Sequence, residues 1–189
     1  MPKNQITIKE FIDKSIGEWK SLRSTHTIAF REFENTTSNI IISYLSLDSD
    51  DAKNLIEKFN FPLNPKFAIK IIWQATSDWE IEENSDSSET ILIFSQKDIN
   101  SGIILRNKGY AELIHTYSNY FIDKQENLNI ITKYNSTISE EKIWFIAKNL
   151  RARYSLIKNK EFGSPIQTSH SSEIRHITNE FKSLIILSK

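Results

Sequence analysis

Two stretches of the chain repeat their apolar residues with a helical period. Thr7 and Glu10 have the spacing of a capping box, and Ile8, Phe11, Ile12 and Ile16 follow on one stripe. Asp48 can cap a second helix in which Ala52, Leu55, Ile56 and Phe59 share a face, with Asp50 and Asp51 in its first turn. Phe61-Pro-Leu-Asn-Pro65 stops that helix. Almost everything else alternates with period two. Phe67, Ile69, Ile71, Trp73 and Ala75 alternate with Ala68, Lys70, Ile72, Gln74 and Thr76, the pattern of a sheet with two distinct faces. Similar runs lie near residues 20–31, 38–46, 90–97, 103–108, 110–122, 127–134, 141–148, 150–158 and 166–177. Turn chemistry joins them at Asn84–Ser88, Asn100–Gly102, Asn107–Gly109, Lys124–Asn127 and Phe162–Pro165. About ten short strands and two early helices predict one all-β domain over residues 1–189, a closed up-and-down antiparallel barrel, with a sandwich as the alternative. A barrel of this size has room inside for one small ligand.

Composition narrows the chemistry. Lys plus Arg equals Asp plus Glu, 24 against 24 in 189 residues, which argues against a general nucleic-acid or anionic-membrane binder. There is no cysteine, so disulfides, thiol nucleophiles and thiolate metal sites are excluded. His26, His115, His170 and His176 never reach metal-ligand spacing on one element, and no metal is expected. Glycines number four and form no phosphate loop. The start lacks an apolar signal core and no run approaches a membrane span, which predicts a soluble protein. Aromatic residues reach 11%, generous for so short a chain.

Four groups of residues could carry chemistry. In Asn149-Leu-Arg-Ala-Arg-Tyr-Ser155 a strand would project Arg151, Arg153 and Ser155 from one face and Leu150, Ala152 and Tyr154 from the other. Two guanidinium groups so placed can grip two carboxylates, or the same face can simply be solvated. Glu173 and Arg175 share a face further on, and Glu141 lies one strand run before Arg151. These carboxylates could hydrogen-bond or exchange protons with a nitrogen-rich ligand, or form surface ion pairs. Trp73 and Trp79 could wall a planar ligand or belong to the core, and Trp19 opens the first strand. Arg23-Ser-Thr-His26 is polar on a strand that should be half-buried, with His26 more in keeping with hydrogen-bonded structure than with a metal.

In order and separation these stretches resemble the S-type phycobiliprotein lyases (CpcS/CpeS). The opening Trp19-Lys-Ser-Leu-Arg-Ser-Thr-His-Thr-Ile-Ala-Phe30, the Trp73–Trp79 segment, the Arg151/Arg153 strand and Ser172-Glu-Ile-Arg175 carry the likeness, which spans about residues 6–178. Thr27 stands where many members have a second histidine, Ser171 where cysteine is common, and Tyr154 where a smaller polar residue is frequent. The resemblance implies a ten-stranded lipocalin-like barrel. It also implies that the protein binds a free bilin and attaches it through a thioether to a cysteine of a phycobiliprotein subunit. Phycoerythrobilin, with phycocyanobilin second, is the expected substrate, and a phycoerythrin β subunit the expected acceptor. Carried onto this chain, Arg151 and Arg153 would hold the propionates with help from Ser155. Glu141 and Glu173 would serve the pyrrole nitrogens, Trp73 and Trp79 would line the pocket, and Arg23 and His26 match the opening motif. A homodimer and a cytoplasmic or plastid-stroma location follow from the same resemblance. A bilin carrier without transferase activity, or a carrier of an anionic lipid, would use the same arginine pair.

Overall fold

A computed structural model describes residues 6–59, 62–77, 87–108, 111 and 115–176, the side chains of 75–77 and 87 excepted. Its strands are β1 (Gly17–Thr27), β2 (Glu32–Leu45), β3 (Pro65–Ser77), β4 (Ser87–Asp98), β5 (Ser101–Arg106), β6 (Thr116–Ile122), β7 (Leu128–Lys133), β8 (Thr137–Ala147), β9 (Leu150–Asn159) and β10 (Pro165–Arg175). Each pairs antiparallel with its neighbours in the chain, and β1 also pairs with β10, Trp19 opposite Arg175 and Thr27 opposite Gln167. That last ladder closes the barrel and leaves no sheet edge unpaired, so the sandwich alternative falls.

Strand limits differ from those expected where patterning is weakest. Between Glu32 and Asn39 β2 is polar apart from Phe33, yet it pairs with β1 from Glu32 through Ile42, so the strand begins well before residue 38. Strand β6 starts at Thr116, and most of the expected earlier part of that run, from 110, lies outside the described residues.

Helix α1 (Ile8–Ser15) begins as its sequence predicts. The Thr7 hydroxyl accepts from the Glu10 N–H at 3.2 Å, and the Glu10 carboxylate accepts from the Thr7 N–H at 2.8 Å. Its buried stripe, Ile8, Phe11 and Ile12, packs with Trp19, Ile42, Ile69, Phe94, Tyr120 and Leu128, inward residues contributed from all round the barrel. The helix therefore plugs one end. Three rim contacts hold it there: Trp19 Nε1 donates to the Ser15 carbonyl at 2.9 Å, Tyr44 Oη donates to Asp13 at 2.6 Å, and Arg175 donates to the carbonyls of Lys14 and Ile16.

Helix α2 (Asp50–Glu57) is capped by Ser49 and not by Asp48. A turn from Ser46, closed by the Ser49 N–H and hydroxyl on the Ser46 carbonyl, leaves Ser49 extended with its hydroxyl accepting from the Ala52 N–H at 3.3 Å. Phe59 lies past the helix end but still packs beside it. This helix lies on the outside of the barrel. Ala52 and Leu55 cover Ala68, Ile91, Ile93 and Leu105, the outward residues of β3, β4 and β5. That cover explains why Ile91-Leu-Ile-Phe94 is apolar on both faces.

The interior is divided along its axis. Next to α1 it is apolar. Towards the other end the inward positions carry Ser21, Thr25, Thr116, Ser118, Thr132, Ser139, Ser155, Ser169 and Ser171, all buried. Ser118 and Thr132 share a hydrogen bond of 2.7 Å, as do Ser155 and Ser169. Side chains this short cannot meet across a ten-stranded barrel, so the middle of this half, the polar chamber, is left to longer inward side chains.

Candidate functional site

The chamber is organised by β9, whose alternation places Arg151, Arg153 and Ser155 inward. Register sets their neighbours: Arg151 lies opposite Glu173, Arg153 opposite Ser171, and Ser155 between Ser169 and Glu141. Arg151 is 2% exposed; its Nε donates to Glu173 Oε2 and its guanidinium lies 4.4 Å from the centre of the Trp19 ring. Arg175 covers the same indole at 4.2 Å, so Trp19 is held against two cations. Arg153 stands between the two carboxylates, Nη1 at 3.7 Å from Glu141 and Nε at 3.8 Å from Glu173. From β5, Arg106 Nη2 donates to Glu141 Oε1 at 3.0 Å. Arg23 of β1 is close enough for its charge to act on Arg153 and Glu141.

Burial alone would push both carboxyls up. Arg106, Arg153 and Arg23 reverse this for Glu141, and Arg153 and Arg151 do so for Glu173, so both sit below the usual carboxylate range. Burial lowers Arg151 to about 10, against the pull of Glu173, which leaves it a cation at neutral pH. Four guanidiniums thus face two carboxylates. Three buried donors, Arg106 Nε, Arg151 Nη2 and Arg153 Nε, have no hydrogen-bond partner among the described residues. Arg106 and Arg151 are buried with the two carboxylates, and the surplus charge of the half-buried Arg23 and Arg153, with the unspent donors, is suited to receiving a dianion.

Most of the residues singled out from sequence meet here. Arg151, Arg153, Ser155, Glu141, Glu173 and Arg23 face one chamber, and the solvated reading of the arginine strand does not hold. Trp73 is half-buried on the inward face of β3 with Ile69 and Ile71, opposite Ile40 and Ser88. Trp79 lies outside the described residues. His26 is a correction. Trp19, Ser21, Arg23 and Thr25 take the inward positions of β1, so His26 is exposed on the outer face against the Phe33 ring, centroids 4.8 Å apart. Arg175 shares Glu173's face as expected but is spent on α1 and Trp19. Sequence reasoning passed over Arg106, although Gly102, Ile104 and Arg106 alternate and a charge at that inward position was the available signal. A separate shallow groove of about 370 Å³ on the outside of β8–β10, lined by Asn127, Lys142, Trp144, Tyr154 and His170, contains none of these residues.

A closed ten-stranded barrel plugged at one end, with hydroxyls and guanidiniums inside its other half, has a lipocalin-like architecture, a class of barrel with room for one small ligand. The chain belongs to the family described as CpeS-like protein, which matches residues 7–176. Chromophore lyase CpcS/CpeS 3 of Trichodesmium erythraeum is 36% identical over 89% of this chain and 98% of its own length. The phycocyanobilin lyase subunit CpcS of a Picosynechococcus strain is 29% identical over 88% and 85% respectively. Among solved structures, the S-type phycobiliprotein lyase CpeS from Guillardia theta superposes with a TM-score of 0.79 at 27% identity, covering 94% of this chain and 100% of that one.

Proposed function

We propose that this protein takes up a free bilin without a covalent bond and attaches it to a cysteine of a phycobiliprotein subunit. The observation that carries the reading is the Arg151–Arg153 pair facing a buried chamber with donors unspent. A bilin has two propionates to meet the guanidiniums and pyrrole nitrogens to meet Glu141 and Glu173. Its conjugated body suits Trp73 and the adjoining apolar half of the barrel.

The chain has no cysteine, so the nucleophile must come from the acceptor. The acceptor sulfur adds to the exocyclic ethylidene or vinyl carbon of the bilin, and its proton ends on the neighbouring carbon of the same double bond. No group leaves and no oxidant is consumed. The protein contributes by ordering a flexible chromophore and by keeping water and stray thiols from it. In such a complex Glu141 and Glu173 hold or relay the proton at the pyrrole nitrogens.

The finer assignment is phycoerythrobilin as pigment and a phycoerythrin β subunit as acceptor, with the protein acting in the cytoplasm or plastid stroma, as a homodimer. Titration with phycoerythrobilin and phycocyanobilin, followed by transfer to candidate subunits, tests both levels. A sharpened, shifted band for one bilin, and faster attachment with correct stereochemistry in the presence of the protein, are the expected results. An acceptor that gains pigment equally well without the protein leaves a carrier, and a pocket that ignores both bilins but takes a fatty acid overturns the reading.

A further inference from the structure

Arg106 belongs neither to the arginine pair of β9 nor to the aromatic wall, yet it is only 7% exposed. It leaves β5 from the inward face shared with Gly102 and Ile104 and reaches across to β8, three strands on, to meet Glu141 Oε1 at 3.0 Å. Between them, β6 and β7 offer Thr116, Ser118, Tyr120, Ile130 and Thr132 at inward positions and no charge. Its Nε is buried and has no hydrogen-bond partner among the described residues.

As pure scaffold this arrangement is a poor one. An apolar pair of the same volume would stabilise the barrel as well or better, because Arg106 has been desolvated to make a single ion contact. The partner it has selected is Glu141, one of the two carboxylates in the chamber. We infer that Arg106 is a positioning residue for bilin handling: it fixes the Glu141 carboxylate and its charge inside the chamber and keeps Nε for the cargo.

The other groups facing Glu141 are Arg153 of β9 at 3.7 Å, Arg23 of β1, Ser155 opposite it in register, and Tyr134, which follows β7 and feels the charges of both Arg106 and Glu141. Glu141 therefore keeps partial compensation when Arg106 is removed, and its proton affinity changes without its becoming an isolated buried ion. On the reading of the chamber as a bilin site, Glu141 and the pyrrole nitrogens titrate as one coupled unit. Removing a positive charge beside that unit raises its affinity for protons, whichever member holds the proton.

The experiment has two arms, with R106Q and R106K. In the ligand-free protein, Glu141 is followed by carboxyl ¹³C shifts, assigned by their loss in E141Q. In the complex, the pH midpoint of the phycoerythrobilin absorbance band is measured. R106Q is expected to raise both midpoints by about one pH unit or more, and R106K, which keeps the charge but not the reach, to fall between R106Q and the native protein. If R106Q does not fold, R106K decides alone, since an intermediate shift supports the inference. Unmoved midpoints in the folded variants overturn it, even if affinity drops, because a merely structural Arg106 would alter affinity without moving the titration. A shifted carboxyl with an unshifted bilin band overturns the role in bilin handling. If the native protein binds no bilin, the functional reading fails and the positioning role falls with it, while the ligand-free arm still judges the Arg106–Glu141 coupling separately.

Discussion

Arg151 has given up nearly all of its water for one carboxylate and the face of an indole, and Glu173 is as deeply placed. Breaking such a pair from one side leaves the other ion stranded. Arg151→Ala should cost about 3–5 kcal/mol in urea unfolding and abolish bilin uptake. R151M combined with E173M should recover much of the stability and none of the binding, which separates the two roles of the arginine. The carboxylates also make stability depend on pH. Glu141 and Glu173 have folded-state values below their unfolded ones, so their contribution is full above the ordinary carboxylate range, about 4.3, and is lost as pH falls through the lowered values. Stability measured from pH 6 to 2 should therefore fall less steeply in E173Q than in the native protein. The sequence placed the guanidiniums two residues apart but left their face undecided. Leu150, Ala152 and Tyr154 alternate with Arg151, Arg153 and Ser155, and either set could have turned inward. What decides it is the arrival of Glu141, Glu173 and Arg106 from three other strands, contacts between residues 22 to 35 positions apart that no local pattern records.

At the level of elements, legibility followed how much of the determining chemistry was local. The α1 cap was legible because Thr7 and Glu10 satisfy each other's orphan donors within one turn. The α2 cap slipped by one residue, because Ser46, Asp48 and Ser49 are all capping types and only the turn geometry separates them. His26 was placed with a binding motif, but strand alternation alone would have set it opposite in face to Arg23. The turn between β6 and β7 has a local device of its own. Asp123 accepts from the N–H groups of Gln125 and Asn127 and from the side chains of Asn127 and Asn129. Burial raises its carboxyl, but these bonds together outweigh that and bring it to about 2. Since its folded value is depressed, its contribution is whole above about pH 4 and disappears as pH falls towards 2. Asp123→Ala should lose about 1–2 kcal/mol at pH 7 in thermal or urea unfolding and show no stability change of that origin between pH 4 and 2.

For the whole molecule, α1 is the piece that turns an open cylinder into a vessel. Phe11, 1% exposed, meets Phe145 edge-on at a centroid separation of 5.2 Å and joins the cluster that includes Trp19. Phe11→Ala should destabilise the protein by about 3–5 kcal/mol in chemical unfolding. It should also loosen Trp19, and with it the floor under Arg151, so bilin affinity should fall although no residue of the chamber has changed. The hairpin tips at the far end are of another character: Phe30 and Phe162 stand 74% and 76% exposed, and no described helix lies across them. With α1 across the base, the far end is the doorway left among the described residues, and through it cargo must come in and also go out. On the lyase reading, loading and delivery then exclude each other in time. A subunit waiting at the door of an empty barrel blocks the pigment it needs, so acceptor in excess should slow the very reaction it feeds.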